Sequence, residues 1–213
     1  LIDGENGRIL FGKNEKEKRA MASTTKIMTC IVALENCKAN QVVEISSKAA
    51  SMPKVKMNVM KGEQYYLKDL LYAMMLESYN DVAVAVAESI GGNIENFAKM
   101  MNEKAKQIGM TDSYFDNPVG MDWHSNAKIH STAHDIAKLT QYAMANYEIR
   151  KIVRHSFYTV DNFYNGKSIT LGSSNGFLRK RKYADNLFTV IGSKTGTTDK
   201  AGYALATTAK DSS

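Results

Sequence analysis

The chain predicts an α/β architecture of the α+β kind, in which a mainly antiparallel sheet comes from the two termini and a helical region is inserted between them. Extended patterns cluster at the start and again from Phe157 onward, whereas apolar residues recur at helical spacing through the middle. With 213 residues, 44% of them hydrophobic, the chain is large enough to bury a sizeable core in one unit. We therefore expect a single domain over residues 1–213, with a sheet part at 1–22 and 151–213 and a helical part at 23–150. Sites in such a two-part fold usually lie where sheet and helical region meet.

Each element has a local reason. "LIDGENGRILFGKN" reads as a strand, a Gly-Glu-Asn-Gly turn and a second strand, so any leader peptide is expected to have been removed or never included. In the helix that follows, Ile27, Ile31 and Leu34 keep helical spacing, and Met28 and Val32 widen the stripe until burial is required. "VVEIS" is strand-like, "SKAASMPKVKMNVMKGEQYY" irregular, and "LKDLLYAMML" a helix broken at "ESYN". "DVAVAVAESIGG" resumes as a helix with Val82, Val86 and Ile90 on one face and glycine at its stop. A further helix aligns Ile94, Phe97, Met101, Ala105 and Ile108 and ends at Gly109. After the loop "TDSYFDNPVGMDWHSNAKIH", Thr132 and Asp135 have capping-box spacing ahead of Ile136, Leu139 and Ala143. "FYTV", "KSITL", "LFTVIGSKTG" and "GYALATTA" then read as strands.

Composition excludes several classes. The apolar runs fall far short of the roughly 20 residues of a membrane-spanning helix. The net charge of +6 favours anionic surroundings, but the densest basic cluster, residues 179–182, has one neighbouring tyrosine and no alternation of aromatics, so nucleic-acid binding is not expected. Cys30 and Cys37 lie on one helix, roughly 10 Å apart at 1.5 Å per residue, so a disulfide would need that helix to end early. His124, His130, His134 and His155 include the pair in "HSTAH" but lack the glutamate or third ligand of a metal motif, so no metal site is expected.

The chemistry rests on three short motifs. S-x-x-K occurs at Ser23–Lys26, Ser51–Lys54 and Ser125–Lys128, and only the first opens a buried helix, where backbone N–H groups favour developing negative charge. Lys26, one turn on, faces the same side. Alone, Ser23 reads as an ordinary helix cap. S-x-N occurs at Ser78–Asn80, in a break between apolar helices, and again at Ser173–Asn175; K-T-G occurs once, at residues 194–196 on an extended segment. In the order S-x-x-K, S-x-N, K-T-G, on helix, inter-helix turn and strand, they match the signature of class A β-lactamases and penicillin-binding proteins.

The sequence resembles the D-alanyl-D-alanine carboxypeptidases among the penicillin-binding proteins, through "LIDGENGRILFGKN", "MASTTKIMT", "DNPVGM", "HSTAHDIAKL" and "GSKTGTTDKAGYALATTA". This resemblance implies a β-lactamase/transpeptidase-like fold and a serine acyl transfer. It departs from the family at Tyr79, inside S-x-N, and at His134, where arginine is expected. The family also carries a further strand and helix beyond "ATTAKDSS", so the chain is expected to be truncated before them, leaving strand edges unpaired.

By the same resemblance Ser23 is the nucleophile and Lys26 its base, kept neutral by burial and by Lys194. Ser78 passes a proton to the leaving amine, Asn80 holds the substrate amide and Lys26, and Lys194 faces the terminal carboxylate with Thr195 and Thr197. Gly196 leaves room for the substrate backbone, and the N–H groups of Ser23 and Thr197 form the oxyanion hole. No cofactor is implied. The expected activity is removal of the terminal D-Ala from peptidoglycan pentapeptide stems, with β-lactams as covalent inhibitors. An extracytoplasmic location is implied, with membrane association only through segments absent here. Rapid β-lactam hydrolysis is not expected, because no glutamate lies between Lys104 and Tyr147. The alternative is a β-lactam sensor or a non-catalytic wall-binding module.

Overall fold

The computed structural model describes residues 1–122, 128–162, 165–179 and 188–211. The interior is organised around α1 (Lys26–Asn36), which is buried from Lys26 to Ala33 and packs on α3 (Leu67–Leu76), α4 (Asn80–Gly91), α5 (Ile94–Gln107) and α6 (Ala133–Ala145). The apolar stripe is too wide for a surface helix, and the surrounding helices cover it. At its far end α1 stops at Asn36 with Cys37 as cap, and both cysteines are free. The closing signals are local. Gly92 ends α4 in the left-handed region at φ 74°, and Thr132 caps α6 by accepting the Asp135 N–H.

Three two-stranded antiparallel sheets surround this bundle in the described residues. β1 (Val42–Glu44) pairs with β2 (Gln64–Tyr66), so the end of the stretch read as irregular is a strand; Tyr65 drives it by turning inward against β1's buried Val43. β3 (Phe157–Asn162) pairs with β4 (Lys167–Gly172), and β5 (Phe188–Thr198) with β6 (Gly202–Asp211). A short helix, α2 (Ser47–Ala50), follows β1, and α7 (Tyr147–Arg154) buries Ile149, Ile152 and Val153 against β5. Four residues at 176–179 form α8. The N-terminal pattern is realised as a single bridge between Ile2 and Ile9 rather than two full strands. The aromatic core is anchored by Phe97 and Phe115, both 0% exposed.

β5 is the strand that meets the helical part, and it does so against the 3-10 turn Ala22–Thr25 that leads into α1. A side chain at Gly196 would put its Cβ 2.8 Å from the Ser23 nitrogen and 3.1 Å from the Ala22 Cβ. Only glycine permits this approach of strand to turn. Gly192 makes room in the same way for Val153 of α7.

Candidate active site

Ser23 does not cap α1, contrary to its simplest reading. It lies in the preceding 3-10 turn, whose entry residue Ala22 is held at φ 47°, and Thr25 stands at the cap position without a side-chain bond. A non-glycine residue in this left-handed region costs on the order of 1–3 kcal/mol and persists only where its neighbours leave no alternative. The neighbours here are two glycines from distant segments. Gly196 presses on the turn from β5, and Gly120, at φ 82°, packs so closely on the Ala22 carbonyl that any Cβ would overlap it. The serine is thus presented half-buried, with its hydroxyl turned to the start of α1.

Lys26 is fully buried, and its Nζ lies 2.8 Å from Ser23 Oγ, 2.9 Å from Asn80 Oδ1 and 3.3 Å from the Val119 carbonyl. Burial holds its ammonium well below the usual lysine range, and the nearby charge of Lys194 pushes the same way. A neutral amine has two N–H bonds and one lone pair. Asn80 Oδ1 and the Val119 carbonyl can only accept, so they take the two protons, and the lone pair falls to Ser23. The arrangement is that of a general base hydrogen-bonded to its nucleophile.

The Asn80 amide is oriented from its other side. Its Nδ2 donates to the Lys54 carbonyl at 3.1 Å and contacts Met121 Sδ at 3.4 Å, which leaves the oxygen facing Lys26. As the first residue of α4, Asn80 also has an orphan backbone N–H, which the Val55 carbonyl accepts at 2.7 Å. Next to it, the buried Asp81 carboxylate takes N–H bonds from Met57, Asn58, Val59 and Val82.

Lys194 is likewise buried, at 2% exposure, and donates to Ser78 Oγ at 2.9 Å and to the Thr195 carbonyl at 2.8 Å. Burial lowers it to about 7. Ser78 adopts φ 67°, which bends the chain between α3 and α4 and turns its hydroxyl toward β5. Thr195 lies on the opposite face of β5 from Lys194, with its Oγ1 2.9 Å from Ser174 Oγ, and Thr197 is exposed on that strand. Ser23, Lys26 and Asn80 thus meet in one hydrogen-bonded group and Ser78 and Lys194 in a second, with the two lysines near enough for one to influence the other.

Several contributors were not singled out from the sequence. Val119 acts through its carbonyl, and Asn117 builds the turn that carries it: Asn117 Oδ1 accepts from the N–H groups of Val119 and Gly120 at 3.1 and 2.8 Å, while Nδ2 donates to the Met121 carbonyl. The Asn-Pro-Val-Gly stretch carries an ordinary turn signal. The second S-x-N, at Ser173–Asn175, also borders the site, since Ser174 reaches Thr195 and its N–H bonds the Leu76 carbonyl. The remaining candidates do not gather here. Ser51 is exposed and bonds back to the Lys48 carbonyl, whereas Ser125, His124 and residues 180–182 of the basic cluster lie outside the described residues. His134 Nδ1 lies 3.5 Å from Asp135 Oδ1 and bears on α6 alone among the charged contacts described.

The chain is similar to known proteins along its whole length. The family model described as D-alanyl-D-alanine carboxypeptidase matches residues 1–213. The carboxypeptidase DacF of Bacillus subtilis is 33% identical over 99% of this chain and 53% of its own length, and DacA of Haemophilus influenzae is 32% identical over 100% and 53%. The chain therefore spans about half the length of these curated relatives. Among solved structures, a D-alanyl-D-alanine carboxypeptidase of Mycobacterium tuberculosis superposes with a TM-score of 0.89 at 26% identity, covering 98% of this chain and 75% of that one. A Streptomyces DD-transpeptidase gives 0.85 at 27%, covering 98% and 82%. The fold is accordingly that of the β-lactamase/transpeptidase-like proteins. With side chains of its three motifs gathered in two neighbouring hydrogen-bonded groups and the family model matching from end to end, the chain belongs to the D-alanyl-D-alanine carboxypeptidase family of serine peptidases.

Proposed function

We propose that this chain is the catalytic domain, residues 1–213, of a serine-type D-alanyl-D-alanine carboxypeptidase that removes the terminal D-Ala from peptidoglycan pentapeptide stems and is acylated by β-lactams. One observation carries the proposal: Lys26, fully buried and with its charged form disfavoured, lies 2.8 Å from Ser23 Oγ and within hydrogen-bond reach of two groups that can only accept, Asn80 Oδ1 and the Val119 carbonyl.

Lys26 takes the Ser23 proton as Oγ attacks the carbonyl of the penultimate D-Ala, and the oxyanion is met by the N–H groups of Ser23 and Thr197. Collapse breaks the C–N bond and expels the terminal D-Ala, whose amine receives the proton taken up by Lys26, relayed through Ser78 with Lys194 holding that hydroxyl, so Lys26 is neutral again before water attacks the ester. Water then releases the shortened peptide from Ser23. Asn80 holds the substrate amide, and the free carboxylate is received along β5 by the hydroxyls of Thr195 and Thr197, with the Lys194 charge reaching it from the other side of the strand. An arriving carboxylate favours the charged form of Lys194, so substrate binding itself raises the complementary charge. Gly196 lets β5 lie against the turn that carries Ser23, which sets the strand beside the nucleophile where it can receive the substrate backbone.

This activity places the domain outside the cytoplasmic membrane, at the wall. No helix among the described residues is long and apolar enough to cross a membrane. The test is D-alanine release from a short peptide ending in D-Ala-D-Ala. Sustained release that disappears in Ser23→Ala is expected. A single round of β-lactam acylation without release identifies a sensor and refutes the proposal.

A further inference from the structure

We infer that Asp81 is a positioning residue for the acylation step: it holds the Asn80 amide so that oxygen, and never nitrogen, faces Lys26. The inference rests on the serine acyl-transfer reading above.

Asp81 is fully buried, and the four hydrogen bonds described to its carboxylate all come from backbone N–H groups. Oδ1 accepts from Met57 N–H at 3.0 Å and Val82 N–H at 2.9 Å, and Oδ2 accepts from Asn58 N–H at 2.9 Å and Val59 N–H at 3.3 Å. Three of these donors belong to one loop, gathered around the carboxylate with Asn58 at φ 63°. That loop's preceding residues supply the two carbonyls that grip Asn80. Lys54 accepts from Nδ2 at 3.1 Å and Val55 from the backbone N–H at 2.7 Å.

The consequence lies in what an amide flip does. An Asn80 turned over places its NH2 against Lys26 Nζ, and the only acceptor that a neutral amine offers is its lone pair. The flipped amide therefore occupies the electron pair that the Ser23 proton needs, and the base is quenched without any movement of Lys26. What forbids the flip is the Lys54 carbonyl, which accepts from NH2 and repels oxygen. What holds that carbonyl in place is Asp81. A carboxylate suits this position where an amide does not, because one end of an amide is itself a donor and would face backbone N–H groups.

The experiment is a double-mutant cycle on acylation by a fluorescent penicillin, with encounter and acylation resolved by stopped flow, in the wild-type chain, Asp81→Asn, Asn80→Ala and the double variant. Asp81→Asn is expected to slow the acylation step by about tenfold to a hundredfold, part of what a general base supplies, and to leave the encounter constant unchanged. In the Asn80→Ala background the same substitution is expected to cost less than about twofold, because the amide through which Asp81 acts is gone. Losses that multiply across the cycle, or wild-type acylation in Asp81→Asn, overturn the inference. Should Asp81→Asn not fold, Asn58→Ala leaves the carboxylate in place and strains the exposed turn. It is expected to give a smaller loss that also vanishes with Asn80→Ala, and a loss that persists there overturns the inference. A folded wild-type chain that penicillin does not acylate refutes the acyl-transfer reading itself, which separates the two failures.

Discussion

Raising the pH from 7 to 9 should stabilise the native protein. Lys26 and Lys194 are buried as bases whose charged forms are disfavoured, Lys26 well below the ordinary lysine value and Lys194 at about 7. In the unfolded chain both titrate near 10.4. Between these limits the unfolded state binds protons that the folded state does not, so the unfolding free energy climbs with pH. One unit of pH is worth about 1.4 kcal/mol for each proton bound by the unfolded state alone. Lys194, half-protonated at 7, contributes about 2 kcal/mol over the interval, and Lys26 acts in the same direction. Cys30 works the other way: burial pushes its thiol up to about 12, so the unfolded chain ionises first, an effect that grows only near pH 9 and sets the upper edge of the window. Urea unfolding followed by circular dichroism in half-unit steps of pH measures the effect, as a rising midpoint at constant slope. Lys194→Met should reduce the rise by about 2 kcal/mol, the share that Lys194 contributes. A midpoint that stays flat or falls between 7 and 9 refutes the claim that burial disfavours the charged forms of both lysines.

Two further substitutions test the frame of the site. Gly196→Ala forces β5 off the turn, because the new Cβ meets backbone at 2.8 Å and 3.2 Å rather than a flexible side chain; the expected cost is about 1–3 kcal/mol in chemical denaturation, with acylation lost. Asn117→Ala strands the Val119 and Gly120 N–H groups and frees the Val119 carbonyl from Lys26, so about 1–3 kcal/mol of stability should go, and penicillin acylation should slow in the folded fraction measured by active-site titration.

The helices that pack around α1 were legible because their apolar residues repeat at helical spacing over several turns. The side chains that gather around Ser23 and Lys194 were legible through three motifs in a meaningful order. What stayed hidden was carried by backbone or by close approach. A carbonyl such as that of Val119 leaves no mark in a side-chain pattern, and Asp81 looks like any acidic residue in a helix's first turn. Ser23 looks like a cap because serine before an apolar stripe usually is one. Here two glycines, Gly120 and Gly196, press the chain into a 3-10 turn first, and that pressure comes from segments far away in sequence. α7 was missed for a related reason. Its buried face is only Ile149, Ile152 and Val153, too short a run to stand out beside the strands that follow.

The hydrogen bonds of Lys26 and Lys194 span 54, 93 and 116 residues of chain. Closures of that length are entropically costly and depend on the tertiary structure around them. Covalent labelling by a reporter β-lactam therefore counts only molecules in which the final hairpin has docked on the turn before α1. A refolding intermediate with its helices formed and its last two strands loose would look native by circular dichroism yet remain unlabelled. The acylation proposed for Ser23 would thus serve as a stopwatch for docking of this hairpin, with the delay between helix formation and first labelling giving the docking time.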